Sequence, residues 1–134
     1  MPPDLPPPAI VFHLPARPQL CLDRMAEAIR LVENSGWRQR GKYGEWGAFQ
    51  IMPSVWRRYS RHLQWNATEA EQRRVARKYL EDIRAELHRN GFPDTPFFYA
   101  LAWNAGVRAV VARRAPARKI DYAERAANTY ADGG

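Results

Sequence analysis

The stretch from Thr68 to Gly91 constrains this chain most. Thr68-Glu69-Ala70-Glu71 is a capping box, in which the Thr side chain accepts from the amide three residues on and the Glu reaches back to the cap. Val75, Ala76, Tyr79, Leu80, Ile83 and Leu87 then recur at helical spacing and share one face. Arg, Lys, Glu and Asp fill the opposite face, and Gly91 stops the run. A helix of this length with one apolar stripe has to bury that stripe against further elements.

The rest of the chain supplies mostly helices. Leu22, Met25, Ile29 and Val32 predict an amphipathic helix ended by Asn34-Ser35-Gly36. Pro53 opens a short helix anchored by Val55, Trp56 and Tyr59. Thr95-Pro96 reads as an N-cap and first helical position, and the apolar run from Phe97 to Trp103 predicts the most buried helix. Asn104-Ala105-Gly106 breaks it, a further piece runs from Val107 to Arg113, and Ile120 to Tyr130 makes the last helix. Gly41, Gly44 and Gly47, set among Tyr43, Trp46 and Phe49, predict a tight turn or short hairpin. Strand signals are poor elsewhere and no internal repeat is present. The expected class is mainly α, a helical bundle with at most one small β-hairpin.

Residues 1–20 hold seven of the eleven prolines and should be extended or polyproline II, which leaves 21–134 as the folded domain. Five Trp, six Tyr and five Phe can fill a core, which excludes a wholly disordered chain. No apolar run approaches the ~20 residues that span a bilayer. A single cysteine, Cys21, excludes an internal disulfide framework, and His13, His62 and His88 match no metal-binding spacing. No metal or organic cofactor is expected. Lys and Arg number 21 against 14 Asp and Glu, a net charge of +7 that favours polyanions such as nucleic acid, anionic lipid or an acidic cell-wall polymer. The proline-rich start lacks the charged and apolar regions of a secretory signal.

Glu33 stands out among the acids. It lies four residues after Ile29 and seven after Ala26, at the edge of the apolar face and in the last turn of its helix. Partial burial and the helix C-terminus both disfavour its charge and push its pKa up, as a general acid requires. Position alone also fits a Glu that bonds a backbone amide or simply reaches solvent.

Glu33-Asn34-Ser35-Gly36 is followed by Gly47-Ala48-Phe49-Gln50-Ile51-Met52-Pro53 and later by Ala102-Trp103-Asn104-Ala105-Gly106. In this order the blocks resemble the lysozyme-like family of soluble lytic transglycosylases and goose-type lysozymes, over roughly residues 21–131. That family has a catalytic Glu followed by Ser, a Gly-x-x-Gln-Ile-x-Pro block and Ala-Tyr-Asn-Ala-Gly. Tyr79-Leu80 is similar to its Tyr-Leu pair, and Asp121-Tyr122 with Tyr130 to its closing tyrosine-bearing helix.

The resemblance implies a lysozyme-like fold and cleavage of the bond between N-acetylmuramic acid and N-acetylglucosamine in peptidoglycan, leaving 1,6-anhydro ends. It makes Glu33 the acid and base. It makes Gln50 a substrate hydrogen-bonding residue with Phe49 lining the cleft, and Asn104 a residue that holds the turn behind the acid or bonds the sugar. Tyr122 is carried over as a substrate contact. Gly106 would permit a close backbone approach. Two departures stand out. Asn34 separates Glu33 from Ser35, which bears on whether Ser35 reaches the sugar, and Trp103 replaces the family's Tyr, removing a phenol near Glu33 while offering an indole that excludes water.

A second carboxylate would change the product. Glu45, in the turn facing the proposed cleft, is the best candidate to position water, which would make the protein a hydrolytic muramidase; alternatively it is a solvated Glu paired with Lys42 or Arg40. Tyr43 is the aromatic most expected to stack on sugar. Arg38, Arg40, Arg57, Arg58 and Arg61 can attract lactyl or stem-peptide carboxylates or simply form a solvated basic surface. Readings of another class are a basic helical nucleic-acid-binding protein, against which the alternation of acids and bases on the long helix speaks, and a non-catalytic wall-binding module. The expected partner is the peptidoglycan strand rather than nucleic acid, the expected state a monomer, and the expected place of action the cell wall or periplasm, or a phage lysis or virion particle.

Overall fold

The computed structural model describes residues 19–133. The prolines up to residue 18, and the extended conformation expected of them, lie outside the described residues. Among the described residues the chain forms α1 (Leu22–Glu33), α2 (Pro53–Tyr59), a single 3-10 turn (Gln64–Asn66), α3 (Glu69–Arg89), α4 (Pro96–Ala105), α5 (Val107–Val111) and α6 (Ala117–Ala131). The protein is mainly α. The glycine segment makes no named strand; two isolated antiparallel bridges, Arg40 with Trp46 and Trp46 with Ile51, fold it back twice about Trp46. Among the described residues no helix is long and apolar enough to cross a membrane.

Only the first half of the capping box forms: Thr68 Oγ1 accepts from the Glu71 amide at 3.1 Å, while the Glu71 carboxylate accepts from Ser60 and Arg74 instead of reaching back to the cap. Thr95 occupies the N-cap of α4 without a side-chain bond, so Pro96 alone sets that start. Helix α1 stops at Asn34, which takes the left-handed conformation with φ 49° and donates its amide to Arg30 O. Helix α6 begins directly after Pro116, earlier than apolar periodicity predicts, because its first turn, Ala117-Arg118-Lys119, carries no large apolar anchor. Helix α5 ends before Arg113, whose φ of 56° takes it out of the helix.

Helix α4 packs on α6, α5, α3 and α1, while α6 also lies along α1. Alanines dominate these seams: Ala100 and Ala102 on α4 and Ala123 and Ala126 on α6 are wholly buried, which lets the helix axes approach closely. Helix α3 contributes Val75, Ala76, Leu80, Ile83 and Leu87, and α1 contributes Met25, Ala28 and Ile29. Each fully buried large aliphatic side chain stabilises by roughly 1.5–3 kcal/mol relative to an exposed one. Helix α4 is not the uniformly buried element its composition suggests. Its middle, Tyr99 to Ala102, is buried, whereas Phe97, Phe98 and Trp103 are only partly covered. The folded domain also reaches one residue further than expected at its start, since Leu20 is buried and its amide donates to Asp94 Oδ2 at 3.2 Å.

Gln72 is a buried polar side chain, and it ties the glycine segment to α3. Its Oε1 accepts from the Ala48 amide at 3.2 Å, and its Nε2 donates to Trp37 O at 2.9 Å and Ala67 O at 3.3 Å. Every polar atom of the amide is thereby satisfied, as burial demands. Gly47 is what allows it: φ is +86°, and a Cβ there would stand 2.2 Å from Gln72 Oε1.

Candidate functional site

Helix α1 delivers Glu33 as its last residue, half-buried, beside α6. The small face of α6 brings Tyr122 across, and its hydroxyl donates to Glu33 Oε2 at 2.8 Å. Burial pushes the Glu33 carboxyl above its ordinary range. The Tyr122 hydrogen bond opposes that shift, the Glu45 charge adds to it, and the Arg125 charge opposes it. The helix dipole at the α1 C-terminus acts in the same direction as burial. Tyr122 is itself raised well above the usual phenol range by burial and by the Glu33 charge, so it remains a donor.

The chain next reverses at Asn34, where its left-handed conformation turns Ser35 toward the glycine segment. Ser35 Oγ accepts from Gln50 Nε2 at 2.9 Å. The same nitrogen donates to Gln39 O at 3.1 Å and Gly47 O at 2.8 Å. These bonds hold Gln50 at φ 50°, a backbone region unusual for a residue with a side chain. Its Nε2 is therefore occupied inside the protein, and Oε1 is the atom left over. Both that oxygen and the Glu45 carboxylate lie over Gly41, where a Cβ would stand 2.2 Å from Gln50 Oε1 and 2.0 Å from Glu45 Oε1. Glu45 Oε1 also accepts from the Tyr43 amide at 2.9 Å. Glu45 is thus folded over its own turn rather than paired with Lys42 or Arg40.

Hydrogen bonds join Tyr122 to Glu33 and Gln50 to Ser35, and Glu45 meets Gln50 over Gly41, whereas the other expected site residues have different partners. Phe49, expected to line the cleft, is 1% exposed and packs edge-on against Trp37 at 5.9 Å, because the residue before Gln50 points into the core. Trp103 packs on Tyr79, with ring centroids 4.9 Å apart. The phenol near Glu33 comes instead from α6. Asn104 is held through its main chain, whose carbonyl accepts from Lys119 Nζ at 2.8 Å. Gly106 is required for its φ of +87°, not for a close approach, since a Cβ there would meet nothing within 4 Å. Tyr43 stands in the turn, 73% exposed, with Lys42 Nζ 5.4 Å from its ring centre.

Two residues escaped sequence reasoning. Gln72 could have been found, because it extends the Val75, Ala76 and Tyr79 stripe back by one step and so places a polar group on an apolar face. Arg125 sits one helical turn after Tyr122, over its ring at 5.9 Å, and pairs with Asp121; only the packing of α6 on α1 sets its charge against Glu33. Among the described residues no group of His, Cys, Asp and Glu side chains is placed to hold a metal ion.

No family model matches the chain, and neither does any curated protein or solved structure.

Proposed function

We propose that this protein is a peptidoglycan lytic transglycosylase of the lysozyme-like kind, cleaving the β-1,4 bond between N-acetylmuramic acid and N-acetylglucosamine. One observation carries the reading: a half-buried glutamic acid at a helix end, raised by burial, oriented by a phenol and set beside the Ser35–Gln50 pair. A carboxyl that keeps its proton to higher pH can donate it to the glycosidic oxygen as the bond to the anomeric carbon breaks. The carboxylate so formed then takes the proton of the muramic acid 6-hydroxyl, whose oxygen closes on the anomeric carbon. The products are a 1,6-anhydro end and a free 4-hydroxyl, and Glu33 is reprotonated. Tyr122 steadies the carboxylate between the two transfers. The substrate places the activity at the bacterial cell wall, reached from the periplasm or as a phage lysis or virion protein.

A second reading is favoured by Glu45, whose charge is felt at Glu33. In a hydrolytic muramidase a second carboxylate activates or positions water opposite the acid. Mass spectrometry of digested peptidoglycan separates the two. Anhydro-muropeptides from the wild type, absent with Glu33→Gln and unchanged in kind with Glu45→Gln, support the transglycosylase. Reducing-end muropeptides that depend on both acids support the muramidase. If the folded protein releases no soluble product, both readings fall.

A further inference from the structure

A cleft of about 600 Å3 lies between the glycine segment and the loop that follows α2, lined among others by Arg40, Trp46, Arg57, Arg61, Leu63 and Trp65. Glu33, Ser35, Gln50 and Tyr122 do not line it, so it is distinct from the acid site.

Its charge is one-sided. Three arginines face it, and no Asp or Glu lines it. Among the described residues none of these arginines forms an ion pair, whereas Arg73, Arg74, Arg77 and Arg89 on α3 each engage a carboxylate. Its outer wall is built in advance. Trp56 Nε1 donates to His62 O at 2.8 Å, Gln64 Nε2 donates to Ile51 O at 2.7 Å, and Ser60 Oγ accepts from the His62 amide at 3.1 Å. With that loop pinned, Leu63 and Trp65 stay 62% and 61% exposed, contributing to the cleft rather than to the core. Trp46 carries a buried indole N–H without an acceptor among the described residues.

We propose that this cleft is a subsite for the peptide stem of a peptidoglycan strand. The guanidiniums take its carboxylates by charge-assisted hydrogen bonds, and the indoles cover its apolar side chains. The acetylglucosamine units of the strand are neutral, so a cleft with three uncompensated arginines matches the carboxylates of the peptide and not the sugar chain. The identity of this ligand rests on the function proposed above.

The test is titration calorimetry on Glu33→Gln protein, which holds substrate without turning it over, with and without Arg57→Gln and Arg61→Gln together. Both arginines are exposed, so the fold is retained, and circular dichroism checks it. The probes are the disaccharide-tetrapeptide, neutral chitotetraose and a short single-stranded oligonucleotide. The arginine changes should weaken the disaccharide-tetrapeptide about tenfold or more and leave chitotetraose unchanged. Added salt should weaken the first probe and spare the second. Equal affinity of both proteins for the disaccharide-tetrapeptide, or an arginine-dependent loss seen only with the oligonucleotide, overturns the proposal. Arginine-dependent binding from a protein that digests nothing keeps the subsite and removes the enzyme. Normal digestion with arginine-independent binding does the reverse.

Discussion

The segment from Gly36 to Ile51 borders two places of opposite character. Toward α1 and α6 it meets a half-buried carboxyl, a phenol and a neutral amide, where burial raises a proton affinity. Toward α2 it borders an open cleft of guanidiniums and indoles without an acid. Arg73, Arg74, Arg77 and Arg89 of α3 form a third case, each matched to a carboxylate on its own or a neighbouring helix. A net charge of +7 therefore says little by itself. What matters is where packing leaves a charge without a partner, or leaves an acid without water.

The largest expected effect isolates the acid side. Glu33→Gln should lower peptidoglycan turnover by about 10^3-fold, within the usual range for loss of a general acid, and leave chitotetraose binding intact. It should also raise thermal stability at neutral pH. The folded-state pKa of Glu33 lies above its unfolded value, so the native state binds more protons in the window between them. Stability from this group is full below the unfolded pKa and lost as pH rises through the folded one. The variant, which never ionises, escapes that loss. Melting curves for the two proteins should coincide below about pH 4 and separate as pH rises. A wild type that is the more stable at neutral pH would remove the burial argument.

Gly47→Ala should break both places at once. The new methyl must displace Gln72 and adopt a strained φ, at a cost on the order of 2–4 kcal/mol. Denaturant unfolding measures the loss. If stability holds, Gln72 is not the pin that seats the segment on α3.

Tyr122→Phe is a smaller change aimed at the acid alone. It should slow turnover by roughly tenfold and cost about 1 kcal/mol of stability for one hydrogen bond. The hydrogen bond lowers the Glu33 pKa, so removing it raises that pKa and moves the alkaline limb of the activity profile upward. A limb that moves down, or stays, would show that the phenol does not hold the carboxyl. The smallest effect belongs to the paired arginines. Arg73→Ala breaks an exposed ion pair with Glu27 and should change stability by less than ~1 kcal/mol, with binding of the disaccharide-tetrapeptide untouched.

Helices were legible because their signals are local. The stripe from Val75 to Leu87, the cap at Thr68 and the stops at Asn34 and Gly91 depend on residues three or four apart. Glu33 was legible for the same reason, since its place at the edge of a face follows from Ile29 and Ala26. The start of α6 and the end of α5 were not, because a first turn without a large apolar anchor and a left-handed Arg leave no apolar period.

Local sequence thus determined the mainly helical architecture, the turn at the glycines and the acid at the end of α1. Tertiary packing decided the rest. Only the docking of α6 on α1 gives Glu33 its phenol, 89 residues away along the chain. Only the fold of the glycine segment turns Phe49 inward, commits Gln50 Nε2 to Ser35 and lays Glu45 over Gly41. Periodicity reports which face a side chain occupies; which donor meets which acceptor depends on the closeness of two distant elements, and here that closeness was set by alanines whose smallness carries no signal of its own.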